Sequence, residues 1–352
     1  MKIFQIITRC ELGGAQSVVV NLANCLCQQN EVIIIAGEGN GKMWELLDTN
    51  IKKEHIPYLK RALSPIDELR VIIAFKKLYL KYKPDIIHLH SSRVGILGRI
   101  AFPKSKIVYT VHGFDSIRVA YRKYLPIEKF LQNRCSAIVG VSEYDKNNLL
   151  KEGINHQVSC IYNGIMTPLH ITNDPFSEIK GYKCKILCVA RLASPKRLDL
   201  FLKIASLLPE YAFIWVGNQR VVNQKYTSNV YFWGNIPNAG CYNEYADLFF
   251  LASDYEGLPI VIIEALACGK PIVASAVGGI PELLNGKNGF AVNNDAQEMA
   301  DKINLILSDE KLKKEMGHEA QQTYLHKFTV NKMVDSYMNL YNQIHKSNNS
   351  QT

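Results

Sequence analysis

The chain has 352 residues, long enough for two domains, and is 47% hydrophobic and 21% charged, the balance of a globular protein. No stretch reaches the roughly 18 apolar residues of a spanning helix; the nearest, 259–275, is broken by Glu264, Lys270 and Pro271, so no integral membrane protein is expected. The net charge of +9 lies wholly in the first half: residues 1–170 hold 23 Lys and Arg against 14 Asp and Glu, while 171–352 hold 18 of each. Within Tyr58 to Arg134 the balance is 16 to 5. This is either a solvated basic face or a surface for anionic partners such as lipid headgroups or a lipid diphosphate. Without an RNA-recognition signature or zinc-finger spacing, no nucleic-acid partner is expected. The first eight residues are too short for a signal-peptide core and lack a cleavage site. Nine cysteines without a CxxC pair suggest reduced thiols in the cytoplasm, with Cys25, Cys188 and Cys268 in apolar runs that predict burial.

In chain order, residues 2–8 read as a strand, followed by a Gly-Gly turn and a helix over 15–29. A strand at 31–37 precedes a long helix at 64–83. Strands at 85–91, 106–112 and 137–142 alternate with helices, the rhythm of a parallel doubly wound sheet. The rhythm restarts at 185–191, with further strands at 212–217, 230–235, 247–253 and 271–276. Between the halves, 166–183 holds two Pro, one Gly and several polar residues, which predicts a linker. From Ala296 to His345 the pattern is helical, and 347–352 is expected to fray. The expected organisation is α/β: a Rossmann-like domain at 1–165, the linker, a second Rossmann-like domain at 184–330, and a C-terminal helix at 331–352. Open parallel sheets bind ligands beyond the C-terminal ends of their strands. Two such domains facing each other would share one cleft there.

The stretch DYEGLPIVIIEALACGKPIVAS, 254–275, sets two carboxylates, Glu256 and Glu264, eight positions apart. Glu264 interrupts an apolar helix, where a carboxylate is costly unless it is hydrogen-bonded. Gly257 and Pro259 bracket a turn, and Pro suits the first helical position. A helix starting there supplies free N–H groups and a positive dipole end for phosphate, and carboxylates accept hydrogen bonds from sugar hydroxyls. The combination suits a nucleotide-sugar; the plainer reading of Glu264 is a carboxylate satisfied by backbone N–H groups. ARLASPKR, 190–197, is either a surface loop after a strand or a phosphate clamp in which Arg191 forks onto oxygens and Lys196 acts as a point charge. Gly13-Gly14 is not GxGxxG, so a dinucleotide fingerprint is absent. His112 ends a strand before Gly113, an exposed position. His88 and His90 alternate with apolar residues and lack a third metal ligand; packing is expected for His88 and a cleft role for His90. Gly278-Gly279 before Pro281-Glu282 reads as a turn into a helix, with Gly279 a candidate near a donor.

EGLPIVIIE matches the E-x7-E signature of retaining GT-B glycosyltransferases of family 4, and AxxxGKPIVAxxxGGIPE at 265–282 continues the pattern. GGAQ (13–16), IHLHSS (87–92), VHGF (111–114), YNGI (162–165) and ARLxxxKR (190–197) are similar to that family's segments in the same order, so the resemblance spans nearly the whole chain. It implies a GT-B fold of two Rossmann-like domains. It implies that Glu264 holds the donor ribose, Glu256 lies near the donor sugar, and Arg191 and Lys196 neutralise the leaving diphosphate. Gly257, Leu258 and Pro259 would frame the phosphate-binding helix start, and Gly13 and Gly14 would let backbone approach donor or acceptor. His112 would lie beside the transferred sugar, with Asn163 and Gly234 as further candidates. There is no D-x-D triplet, and no metal or cofactor is expected; the nucleotide-sugar is a substrate. The GGAQ and IHLHSS style resembles bacterial capsule, O-antigen or exopolysaccharide transferases. That implies a lipid-linked saccharide acceptor and a peripheral enzyme at the anionic inner face of the cell membrane, with a UDP-sugar, including UDP-N-acetylhexosamine, the favoured donor. A nucleotide-sugar 2-epimerase and a non-catalytic nucleotide-sugar binder are the competing readings.

Overall fold

The computed structural model describes residues 1–62, 64–218 and 225–350. Gln351 and Thr352, part of the tail expected to fray, lie outside them. The chain forms two compact units: Met1–Gly164 with Val330–Thr352, and Ile165–Thr329.

The first unit contains a seven-stranded sheet: β1 (Lys2–Ile7), β2 (Glu31–Ala36), β3 (Lys52–His55), β4 (Ile86–Leu89), β5 (Ile107–Val111), β6 (Ala137–Gly140) and β7 (Val158–Cys160). Its order is β3-β2-β1-β4-β5-β6-β7, with every pair parallel. The order reverses between β1 and β4, where Ile3 pairs with Ile86 and Gln5 with His88. Side chains alternate across the sheet. One face sends Phe4, Ile6, Ile33, Ile87, Leu89 and Tyr109 into the main core. The helices Pro65–Tyr82, Ser92–Ala101 and Leu125–Leu131 cover that face. Pro65–Tyr82 begins cleanly because Ser64 accepts a hydrogen bond from Asp67 N–H and Pro65 occupies the first turn. The opposite face presents Gln5, His88 and Thr110, against which the C-terminal helix Val330–Asn349 sets Tyr337 and Tyr341.

The second unit contains a six-stranded sheet: β8 (Lys185–Val189), β9 (Ala212–Val216), β10 (Val230–Phe232), β11 (Leu248–Leu251), β12 (Ile272–Ser275) and β13 (Gly289–Val292). The order is β10-β9-β8-β11-β12-β13, again all parallel, with the reversal between β8 and β11. Its core includes Phe201 edge-on to Phe213 and Trp215.

The expected linker is a packed part of the second unit. Phe176 is fully buried against Trp233 and Tyr242, Asp174 pairs with Lys185 at 3.1 Å, and the Tyr245 hydroxyl donates to the Ile171 carbonyl. An aromatic anchor in a Pro/Gly stretch outweighs its loop-like composition. The chain passes between units at Gly164–Ile165 and again at Thr329–Val330. Beside these passages, Ile165 N–H donates to the Phe328 carbonyl at 3.0 Å. All nine cysteines are free; Cys188 is buried, but Cys25 and Cys268 are only partly covered. Among the described residues no helix is long and apolar enough to cross a membrane.

Candidate active site

In the second unit the loops after β8 and β11 meet at the strand-order reversal. Lys196 and Ser253 form an isolated antiparallel bridge, and Asp254 N–H donates to the Pro195 carbonyl at 2.9 Å. That contact brings the Lys196 ammonium onto Glu256 Oε1 as an ion pair, with both side chains largely buried. Ser253 Oγ donates to the same oxygen at 2.6 Å. Ser253 is itself clamped. Its N–H donates to Ser275 Oγ at 2.9 Å, Ser275 Oγ donates to Asn294 Oδ1 at 2.5 Å, and Asn294 Nδ2 donates to the Ser253 carbonyl at 3.0 Å. Arg191 is exposed and makes no ion pair with a described residue, so its guanidinium is free for an anion. Arg197 is engaged by Asp199 at 2.7 Å and Asp254 at 3.1 Å.

The turn after Glu256 depends on glycine. Gly278 has φ +59°, and a Cβ there would lie 1.8 Å from the Glu256 carbonyl oxygen. Gly279 N–H donates to the Gly257 carbonyl at 2.8 Å, which joins the 254–258 loop to the turn after β12. Leu258 is buried, and Pro259 caps the Ile260–Ala267 helix with extended backbone. The helix thus starts one residue later than expected: Pro259 is the cap, and its carbonyl accepts from the Ile262 and Ile263 N–H groups. The Ile260 and Val261 N–H groups are left at the helix mouth, as in any first turn. Gly234 N–H donates to Asn218 Oδ1 at 2.8 Å, with open space where a side chain would be.

Glu264 lies on that helix with its carboxyl against Gly240, where a Cβ would be 2.5 Å from its Cδ. Burial pushes its pKa up to about 7. No described residue donates a hydrogen bond to the carboxyl, so the backbone-satisfied reading of Glu264 fails. Glu264 is half-buried, so a carboxyl without a protein donor is open to hydroxyl groups.

In the first unit the strand ends carry a neutral network. His112 follows β5, and its Nε2 lies 3.1 Å from His90 Nδ1. His90 Nε2 lies 2.5 Å from Gln5 Oε1, and Gln5 Nε2 donates to the Tyr341 hydroxyl at 3.2 Å. Gln5 Oε1 can only accept, so His90 carries its proton on Nε2 and must accept on Nδ1. His112 therefore donates from Nε2 and keeps the Nδ1 lone pair. His88 joins Tyr341 at 2.6 Å and Thr110 at 2.7 Å, and Thr110 meets Tyr337 at 3.0 Å. Burial lowers all three histidine pKa values, that of His112 to about 4. His90 is 1% exposed, so it reaches any ligand only through His112. Gly13 caps the Gly14–Leu26 helix in extended backbone, and Gly14 faces open space. Asn163 is buried near the end of the first segment of this unit.

The second unit therefore joins Lys196 to Glu256 and, through its backbone, Glu256 to Gly257 and Gly279, while the first joins His112 to His90. Sequence reasoning missed Ser253, Ser275, Asn294 and Gly240 in the second unit, and Gln5, Thr110, Tyr337 and Tyr341 in the first. The available signal was a polar residue interrupting an apolar strand, as Gln5 does in KIFQII and Thr110 in IVYTV.

Comparison with known proteins agrees with this arrangement. The family model for glycosyl transferases group 1 matches residues 171–323, and that for glycosyltransferase family 4 matches 12–167. The chain is 28% identical to the Escherichia coli UDP-Gal:α-D-GlcNAc-diphosphoundecaprenol α-1,3-galactosyltransferase, over 94% of each chain. It is 27% identical to a Campylobacter jejuni α-1,4-N-acetyl-D-galactosaminyltransferase named for an undecaprenol-PP-linked acceptor, over 92% of this chain and 93% of that one. Anabaena HepE, solved with UDP and glucose, superposes with a TM-score of 0.83 at 21% identity, covering 97% of this chain and all of that one. The sucrose-phosphate synthase from Thermosynechococcus elongatus superposes at 0.82 with 19% identity over 98% of this chain and 99% of its own. The two sheets, the motifs in order and the two matched models place this chain among the GT-B glycosyltransferases of family 4.

Proposed function

We propose that the chain is a retaining glycosyltransferase that moves a sugar from a nucleotide-sugar, a UDP-sugar such as UDP-N-acetylhexosamine favoured, to a lipid-linked saccharide in surface polysaccharide assembly. The observation that carries this reading is the second unit's cluster: Lys196 paired with Glu256 beside a helix mouth, and Glu264 an acceptor without a donor. The names of the E. coli and C. jejuni relatives support a lipid diphosphate acceptor, and the former supports a UDP-sugar donor. The bond from the anomeric carbon to the diphosphate oxygen breaks as the acceptor hydroxyl oxygen bonds to that carbon from the same face. The departing phosphate oxygen takes the acceptor's proton, so no protein nucleophile is required. Arg191, Lys196 and the first-turn N–H groups offset the charge that grows on the leaving group. Lys196 leaves Glu256 for the phosphate, and Glu256 turns to the sugar. His112 offers its Nδ1 lone pair to a sugar hydroxyl.

A thermal-shift panel of UDP, GDP and ADP, free and sugar-linked, on wild type and Glu264→Ala tests the donor assignment. A ligand at about 100 times its Kd adds about 2.7 kcal/mol. Stabilisation of wild type by a uridine ligand, lost in the variant, is expected, followed by sugar transfer to a diphosphate-linked acceptor. Donor consumption without an acceptor would favour the 2-epimerase, and donor binding without any turnover the non-catalytic binder. A glycosyl-enzyme trapped by mass spectrometry would overturn same-face attack.

A further inference from the structure

The Pro65–Tyr82 helix is apolar on two opposite faces. Val71 and Phe75 are fully buried against the sheet. Ile66, Leu69, Ile73 and Leu80 are 66%, 60%, 45% and 70% exposed. At about 100° per residue these four fall within an arc of about 60°, opposite the buried pair. Lys76 flanks the stripe on one side, and Arg70 and Lys77 on the other. The Ser92–Ala101 helix packs beside it, and Leu125–Leu131 beside that, in one layer. From this last helix Ile127 and Phe130 stand 40% and 83% exposed, with Lys129 between them. The acids of the three helices are all taken: Asp67 pairs with Arg70, Glu68 with Arg93, and Glu128 is buried on Arg99. Glu152, from outside the layer, meets Arg122 and Lys129.

A monomer rarely exposes such an apolar stripe without a partner for it. Aliphatic side chains rimmed by Lys and Arg match the acyl boundary of an anionic bilayer, where the chains insert and the cations meet headgroups. A second copy fits badly, because a two-fold contact would bring the basic rims together. We propose, resting on the lipid-linked acceptor reading for why a membrane is present, that the outer face of this helical layer docks the enzyme on an anionic phospholipid bilayer. Ile66, Leu69, Ile73 and Leu80 enter the interface, Phe130 inserts beside them, and Lys76 and Lys77 hold phosphate headgroups.

Co-sedimentation of the full chain with phosphatidylcholine vesicles, with and without phosphatidylglycerol, tests the proposal. Binding to the mixed vesicles that weakens with salt is expected. Lys76→Glu with Lys77→Glu should weaken it at least about thirtyfold at low salt, at about 1 kcal/mol per lysine. The fourfold Ser variant at Ile66, Leu69, Ile73 and Leu80 should abolish it, while its UDP-induced thermal shift stays at the wild-type value. An Ile73→Trp variant should be quenched by brominated lipid beyond the parent protein. Absent or salt-independent vesicle binding, binding unchanged in both multiple variants, or a wild-type dimer that the Ser variant dissolves would overturn the proposal. Vesicle binding needs no nucleotide. A UDP shift without vesicle binding sinks the docking face alone, and vesicle binding without a UDP shift sinks the donor reading alone.

Discussion

At the ends of β4 and β5, three histidines, a glutamine, a threonine and two tyrosines form a network without a formal charge. At the ends of β8 and β11, an ammonium, a carboxylate and an exposed guanidinium crowd one loop junction. The two sheets share a parallel, reversed strand order. The first unit holds the chain's whole positive excess, yet its network of His90, His112 and Gln5 carries no formal charge, while the second, with near-balanced charge, sets the Lys196–Glu256 pair at its strand ends. Charge at a strand end here follows the chemistry of the position and not the composition of the unit. The neutral network suits orientation of a hydroxyl-rich sugar, and the ionic one suits a phosphate leaving group.

The largest test of this contrast is Lys196→Ala. Loss of one preorganised cation at the leaving group should lower the initial transfer rate about 10²–10³-fold. An equal loss from a His112→Ala variant would erase the distinction between the two strand ends.

The two sites should also answer pH with opposite sign. Glu264 has a folded pKa raised to about 7 above its ordinary 4.5, so stability is full below about 4.5 and lost as pH rises towards 7. The loss is at most about 3 kcal/mol. His112 is lowered to about 4 from 6.5, so its contribution is present above about 6.5 and lost as pH falls towards 4. Urea titrations of Glu264→Gln should therefore show stability that only rises between pH 4.5 and 7. A wild-type and Gln profile of identical slope would show that Glu264 is solvated. UDP affinity of the wild type should rise through pH 7, because ribose hydroxyls favour the ionised carboxylate.

Gln5→Leu sharpens the neutral side. It removes the acceptor for His90 and the donor to Tyr341, at a cost of about 1–3 kcal/mol. Ring nitrogen shifts should report a single Nε2–H form of His112 in wild type and a tautomer mixture in the variant. The smallest effect belongs to Gly240→Ala. The clash falls on the flexible end of Glu264, so stability should change by less than about 1 kcal/mol while UDP affinity falls about tenfold. Unchanged affinity would place the donor elsewhere.

Much of this was legible in the chain. Strands buried on both faces announce themselves as apolar runs, and the E-x7-E spacing singles out Glu256 and Glu264. β3, KKEH, escaped because an edge strand carries solvent-facing charge. β7, VSC, and β13, GFAV, escaped too: both are edge strands, half-buried in large part, and Ser159 and Gly289 keep them from reading as apolar runs. Ser253, Ser275 and Asn294 escaped for a different reason. They act on the backbone of one another, and no spacing rule marks residues joined only by three converging loops. The 166–183 segment misled because composition registers Pro and Gly but not the burial of Phe176 and Ile179.

The last helix completes the first unit. Gln5 and His88 stand near the start of the chain, yet their hydroxyl partner is Tyr341. During synthesis these polar groups emerge hundreds of residues before the group that satisfies them. The second unit is an uninterrupted segment and can close on its own as it leaves the ribosome, whereas the first must wait, its inner face uncovered, until the Val330–Asn349 helix arrives. A chain interrupted before that helix would hold a folded second unit and a first unit whose Gln5 and His88 lack their hydroxyl partner.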